Sequence, residues 1–199
     1  MTTDMTIESL LPFIKEIDRL KTIDRQALIH SGGRRENSAE HSWHLALSVM
    51  VFEKTSEVKL DVAKAIKMAL LHDVVEIDAG DMMVYGDLSE KNEKELKALE
   101  RIMALLPKEI ETEFKKIWME FEAGESAEAK FVAALDRFLP IYSNVLNEGY
   151  SWKKHNITKA KVIAKCQAPI EDGLPKLWTT TASLLEKCET SGAFVSPKN

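Results

Sequence analysis

The sequence predicts an all-α fold, and three observations lead there. Apolar residues recur at spacings of three and four along most of the chain. Serine, threonine, glycine and proline sit at the ends of these periodic stretches, where helix caps and breakers belong. No stretch alternates apolar and polar residues strongly enough to read as a strand, and no repeat or low-complexity segment interrupts the pattern. A chain of 199 residues with 45% hydrophobic content can bury a real core. The expected organisation is one domain over residues 1–199, with a disordered tail from about 191.

The elements follow in order. Residues 7–20 read as an amphipathic helix with Leu10, Leu11, Ile14 and Ile17 inward, and Pro12 suits only its first turn. Gly32 and Gly33 mark a loop. Ser38 is an N-cap for a helix reaching Phe52, with Glu40 favourably placed in its first turn. Residues 60–75 form the next helix, and Gly80 and Gly86 punctuate the loop behind it. Residues 89–106 are a charged helix with Leu96, Leu99, Ile102 and Met103 inward. Pro107 opens a helix through Phe114, Ile117, Trp118 and Phe121, which Gly124 ends. Ser126 starts a helix that Pro140 should kink. Residues 149–156 read as a loop whose Tyr150, Trp152 and His155 serve as packing anchors more readily than as a base-stacking platform. Thr158 caps a short helix to Gln167, and a last helix runs from Gly173 or Pro175 to Thr190.

Composition narrows the function classes. A formal net charge of −5 argues against a nucleic-acid partner. Two cysteines, Cys166 and Cys188, make no disulfide framework, so a reducing, cytoplasmic setting is expected. No start resembling a signal peptide and no run of transmembrane length is evident, so no membrane partner is expected.

Three places carry chemistry. The run Leu70-Leu71-His72-Asp73-Val74-Val75-Glu76 ends an apolar helical segment in a cluster of potential ligands. On an ideal helix, with His72 at 0°, Glu76 falls at about 40° and Asp73 at about 100°. An apolar interior tolerates two carboxylates beside an imidazole only if something positive neutralises them, and a divalent metal does that best. The second place is His41, in the first turn of a helix apolar on most faces. Taken alone, such a histidine is more often a satisfied core residue than a ligand. His44 is the rival ligand, and reads better as a helix-surface residue. The third is Asp136, sharing a stripe with Val132, Leu135 and Leu139. It needs a partner, either an arginine or a metal. Any anionic substrate needs local positive charge, for which Arg25, Arg34 and Arg35 are candidates, although Arg34-Arg35 reads equally well as a solvated loop pair.

Taken in order, His41, His72-Asp73 and Asp136 resemble the HD superfamily of metal-dependent phosphohydrolases, whose pattern is a His, a His-Asp pair and a distant Asp, all on helices. The surroundings sharpen the likeness. Asp18-Arg19-Leu20-Lys21-Thr22-Ile23-Asp24-Arg25, Arg35-Glu36-Asn37-Ser38-Ala39-Glu40-His41-Ser42 and His72-Asp73-Val74-Val75-Glu76 with Gly80-Asp81 look like its 5′-deoxynucleotidase branch. The resemblance spans about residues 14–146. It implies an HD-domain helical bundle in which His41, His72, Asp73 and Asp136 bind one divalent metal. It further implies that Glu76 activates or orients the attacking water, that Asp81 is a second catalytic acid, and that Arg25 contacts the substrate phosphate; Arg35 is a further candidate. In one departure, Gln26 stands where these enzymes tend to carry a tryptophan that helps select the sugar.

The implied chemistry is coherent. A metal lowers the pKa of its water and polarises a phosphoryl oxygen. Glu76 can take or orient the water proton, and Arg25 can hold phosphate oxygens in a fork. Two His and two Asp suit Mn, Fe, Co, Ni or Zn better than Mg, and no further His cluster marks a second metal. The expected activity is phosphate release from nucleoside 5′-monophosphates, deoxynucleotides above all. The alternatives are another phosphate ester, such as a signalling nucleotide, or a catalytically idle nucleotide-binding module. A homodimer is expected from the resemblance, with Trp178, Leu184 and Leu185 of the last helix as contact or core.

Overall fold

The computed structural model describes residues 5–81 and 91–195. Its first helix, α1 (Ile7–Ile17), is held by a reciprocal cap: the Ser9 N–H donates to the Thr6 hydroxyl and the Thr6 N–H to the Ser9 hydroxyl. A 3₁₀ turn, Asp18–Thr22, follows, so the single helix expected over 7–20 is split. Its inward face also differs from expectation. Phe13 and Leu20 are buried, whereas Leu11 and Ile14 are 56% and 58% exposed. The helix lies at the surface and docks through Phe13, whose ring meets Phe114 edge-on at 6.1 Å. Pro12 falls beyond the first turn; the carbonyl it leaves without a donor belongs to exposed Glu8, where water can serve it.

A two-stranded ribbon comes next, which the sequence does not reveal. β1 (Asp24–Leu28) pairs antiparallel with β2 (Arg35–Asn37), Asp24 opposite Asn37 and Leu28 opposite Arg35. The register shifts between those pairs, because β1 is longer than the stretch it faces. Such an irregularity bends the strand and re-aims its side chains. Short strands carrying Asp24, Arg25, Arg35 and Glu36 show no apolar alternation.

α2 (Ser38–Phe52) begins one residue earlier than expected. Asn37 is its N-cap: its side chain accepts the Glu40 N–H at 2.9 Å, and the Glu40 carboxylate accepts the Asn37 N–H at 3.2 Å. α3 (Val62–Leu71) is capped by Asp61 and stops four residues short of the expected Val75. A turn leads into the short α4 (Glu76–Ala79). The expected start of the following helix at Ser89, and Gly86, lie outside the described residues. α5 (Lys91–Met103) buries Ala98, Leu99, Ile102 and Met103, while Leu96, expected inward, is 44% exposed. α6 (Lys108–Ala123) runs from Pro107 to a left-handed Gly124. α7 (Ala127–Leu146) is capped by Ser126 and continues through Pro140.

The expected loop at 149–156 contains a helical turn, α8 (Tyr150–Lys154), with Trp152 buried. α9 (Lys159–Gly173) is capped by Thr158 and outruns its expected end by six residues. Its extension rests on close packing: a Cβ on Gly173 would meet the Lys130 carbonyl oxygen at 2.0 Å. α10 (Pro175–Thr190) closes the helical set.

α7 is the centre, with α2, α3, α6, α9 and α10 packed against it. Its Phe131, Val132, Ala134 and Leu135 are essentially inaccessible. Trp178 and Leu184 pack against the core and Leu185 is inside it. The chain after α10 is packed rather than loose: Ala193 is buried, Phe194 stacks on Trp152 at 4.3 Å, and the Ala193 carbonyl occupies the place a Cβ on Gly149 would take. A loose tail beginning at 191 is therefore corrected; residues 196–199 lie outside the described set. No described helix is long and apolar enough to cross a membrane.

Candidate metal centre

Ligand atoms of His41, His72 and Asp73 lie within 4.8 Å of one another, although they come from α2 and the turn that follows α3. Asp136, from the middle of α7, joins them: its Oδ1 is 2.9 Å from His41 Nε2 and 3.7 Å from His72 Nε2. His41, His72 and Asp136 are buried.

Local structure explains the aim of each group. His72 is the C-cap of α3, and the turn behind it is bonded at i→i+3: Val74 N–H to the Leu71 carbonyl, Glu76 N–H to that of Asp73. In such tight turns residues three apart eclipse. Asp73 and Glu76 both reach the Arg25 guanidinium from this turn. His72 Nδ1 lies 2.9 Å from the Ala69 carbonyl, so it carries the proton and Nε2 faces the carboxylates. The Trp118 indole N–H donates to the His72 carbonyl at 3.0 Å, fixing the turn from α6.

Arg25 is the hub of the acidic side. Its Nη1 donates to Asp73 Oδ2 at 2.6 Å and lies 3.8 Å from Glu76 Oε1 and 3.9 Å from Asp81 Oδ1; its Nε is 3.7 Å from Glu36 Oε2. Glu36, buried and 3.4 Å from His41 Nδ1, is a member that the sequence reading missed. So is Ser38, whose hydroxyl donates to Glu76 Oε2 at 2.5 Å. Their signal was present but indirect: Glu36 and Ser38 flank Asn37 in the quoted segment, and neither is needed for the cap.

The remaining predicted residues divide. Arg35 donates to the Gln26 side-chain oxygen at 3.1 Å and is not brought against the acidic cluster. Arg34 pairs with Glu40 at the surface. His44 meets the ring of His30 at 4.7 Å, away from the cluster. Gln26 Oε1 also faces His155 Nε2 at 3.0 Å, tying β1 to α8.

The electrostatics follow from crowding charge in a dry place. Burial opposes the charge of His72, but Asp73 and Asp136 outweigh it and push its pKa up to about 10. Burial also opposes the charge of Asp136, which hydrogen bonds from His41 and His72 nonetheless hold well below the usual carboxylate range. Asp73 is likewise lowered, with His72 and Arg25 overcoming burial. Glu76 goes the other way: burial and the Asp73 charge raise it to about 8 against the pull of Arg25 and Ser38. Burial also raises Asp81, with Arg25 opposing.

The cluster fits a divalent cation. His72 Nε2 and His41 Nδ1 are buried ring nitrogens without a hydrogen bond among the described residues. A buried polar atom left so is costly, and here each faces carboxylates. A cation held by His41, His72, Asp73 and Asp136 would satisfy His72 Nε2 and the carboxylate oxygens together, whereas His41 Nδ1 is turned to Glu36. The group opens onto a cleft lined by Arg25, Gln26, Asp81, Glu122, Asp136 and Arg137, and also by Ile141, Trp152 and Cys166.

A family model described as HD domain matches residues 17–178. The chain belongs to the HD domain family. As an HD domain it is similar over 98% of its length to a Magnetospirillum magnetotacticum protein described as a predicted metal-dependent phosphohydrolase, with 38% identity, a TM-score of 0.91 and all of that chain covered. A Pyrococcus horikoshii protein shares the fold at a TM-score of 0.64 and 21% identity, covering 87% of this chain and 99% of that one. Among curated relatives, a human protein named 5′-deoxynucleotidase HDDC2 is 32% identical over 132 residues, 65% of this chain and 63% of that one. Its Xenopus laevis counterpart is 35% identical over 133 residues, 65% of each chain. The match thus spans less than two thirds of these relatives' own length.

Proposed function

We propose that this HD domain is a metal-dependent phosphomonoesterase acting on nucleoside 5′-monophosphates, deoxynucleotides foremost. The observation that carries the reading is the buried convergence of His41, His72, Asp73 and Asp136 with His72 Nε2 left unpaired. The likeness to a phosphohydrolase along nearly the whole chain, and to proteins named 5′-deoxynucleotidases, supports it.

His41, His72, Asp73 and Asp136 would hold one divalent ion, of the Mn, Fe, Co, Ni or Zn kind given the mixed N/O set. Such an ion supplies a nucleophile at neutral pH and a positive charge beside the phosphoryl oxygens. Glu76 orients the attacking water and takes its proton. The Ser38 hydroxyl fixes its other oxygen. Asp81, raised by burial, supplies a proton toward the leaving oxygen. Arg25 reaches the phosphate from β1, while Arg35 acts through Gln26.

The cytoplasm is the proposed setting, and the proposed assembly is a homodimer. Leu185 belongs to the core, while Trp178 and Leu184 only pack against it. A monomer mass at micromolar concentration would reject the dimer.

Phosphate release across ribo- and deoxynucleoside 5′-monophosphates, each with Mn, Co, Fe, Ni and Zn, tests the reaction. Turnover with one or more metals, abolished by chelation, is the expected result. No release from any member under any metal would leave the idle-module reading standing instead.

A further inference from the structure

The cleft places a second arginine beside the proposed metal centre. α7 presents Asp136, Arg137, Pro140, Ile141 and Asn144 to it, the spacing of one helical face. That wall is stiff at its far end. Asn144 Oδ1 accepts the Ser151 N–H and hydroxyl at 2.9 Å each, and Asn144 Nδ2 donates to the Pro140 carbonyl at 2.9 Å.

Arg25 and Arg137 differ in how far they are committed. Arg25 has a side chain only 12% exposed, among the carboxylates of Asp73, Glu36, Glu76 and Asp81. Its charge is already answered. Arg137 is 36% exposed, and its Nη1 stands 3.5 Å from Asp136 Oδ2, a long contact. Among the described residues it forms no hydrogen bond. Asp136 turns its other oxygen to His41 and His72, so the guanidinium sits one carboxylate away from the cluster.

A phosphate monoester brings close to two negative charges at neutral pH. The cleft lining already includes Glu76, Asp81, Glu122 and Asp136. Two of the proposed ligands, Asp73 and Asp136, neutralise a divalent ion on their own. A dianion therefore needs a further cation with donors to spare, and a guanidinium fork matches two phosphate oxygens.

We propose that Arg137 is a substrate-binding residue that holds the phosphate by a two-pronged contact, Asp136 Oδ2 steadying it from behind. The inference rests on the phosphomonoesterase reading above and adds to it a residue not named by the ligand pattern.

Binding of inorganic phosphate to the manganese-loaded protein, followed by calorimetry, tests it without turnover. Arg137→Met should weaken the phosphate Kd about 10- to 100-fold, the usual range for losing charge-assisted hydrogen bonds. Metal content and melting temperature should stay as in the parent. Arg137→Lys should recover only part, because a point charge cannot replace the fork. An unchanged Kd in Arg137→Met, or no phosphate binding by the parent, overturns the proposal. Loss of metal in Arg137→Met overturns it too, since Arg137 would then serve Asp136 rather than substrate. Full recovery in Arg137→Lys overturns the two-pronged contact. Arg137-dependent phosphate binding in a protein that releases no phosphate from any nucleotide would sink the proposed reaction and leave this contact standing.

Discussion

Glu76 and Asp73 lie one tight turn apart and contact the same guanidinium, yet their proton affinities are driven in opposite directions. Asp73 faces His72 and stays ionised; Glu76, buried beside the Asp73 charge, holds its proton to about pH 8 against the pull of Arg25 and Ser38. The two substitutions should therefore separate. Glu76→Ala should retain metal and lose about 10²–10⁴ in kcat, the usual worth of a general base. Asp73→Ala should lose metal and activity together. Metal content measured beside kcat decides, and equal metal loss in both would make Glu76 a ligand. Arg25→Ala has a wider effect than a lost substrate contact. It strips the cation from Asp73, Glu36, Glu76 and Asp81 in a buried setting, which typically costs about 3–5 kcal/mol. Its melting temperature should fall most without metal and partly recover when a divalent ion is added. A raised KM with unchanged melting behaviour would show that the arginine serves substrate alone.

At the scale of elements, the site depends on where three segments stop. α3 ends at Leu71 and yields the tight turn from which Asp73 and Glu76 both reach Arg25; the ribbon irregularity brings Arg25 and Gln26 to the cleft; α7 continues past Pro140 and carries Asp136, Arg137 and Asn144 on one face. α9 holds α7 in place by backbone contact at Gly173. Gly173→Ala must push a methyl into the Lys130 carbonyl and should cost about 1–3 kcal/mol, read as a lower midpoint in urea. A midpoint equal to the parent's would mean that this helix pair slides apart at little cost. Caps and helix identity were legible because they depend on residues within four positions: Ser126, Thr158 and Gly124 stand at their expected ends. The ribbon was not legible, because its side chains are committed to the site and leave no period-two apolar pattern. The reach of α9 was not legible either, since it depends on α7 lying against it.

For the whole molecule, the decisive quantity is the balance between carboxylates and cations in one buried place. Without metal, raised proton affinity at His72 and Glu76 stabilises the fold only while those protons are bound. That contribution is complete below the ordinary values of 6.5 and 4.5. It is lost as pH rises through about 8 for Glu76 and about 10 for His72. Metal-free protein should thus melt progressively lower between pH 7 and 10, while the metal-loaded form changes less. The same linkage requires metal uptake to expel protons, so apparent affinity should rise with pH over that window. Calorimetry in buffers of different ionisation enthalpy reads the released protons directly, and uptake without proton release would reject the protonated apo cluster.

The sequence by itself determined the helical class, most of the caps, and the residues that the fold gathers: His41, His72, Asp73, Glu76, Asp81, Arg25 and Asp136. The histidines, Asp73, Glu76 and Asp136 were visible because charged and imidazole side chains embedded in apolar helical runs demand partners, whereas Arg25, on β1, and Asp81 stood out through the family resemblance. Only the tertiary structure decided who the partners are. Ser38 meets Glu76 across 38 positions and Trp118 meets His72 across 46. It also separated Arg25, enclosed by acids, from Arg137 with donors to spare, and sent Arg35 to Gln26. A helix period is written in near neighbours, but proximity over such separations exists only once α2, α3, α6 and α7 have packed around one core.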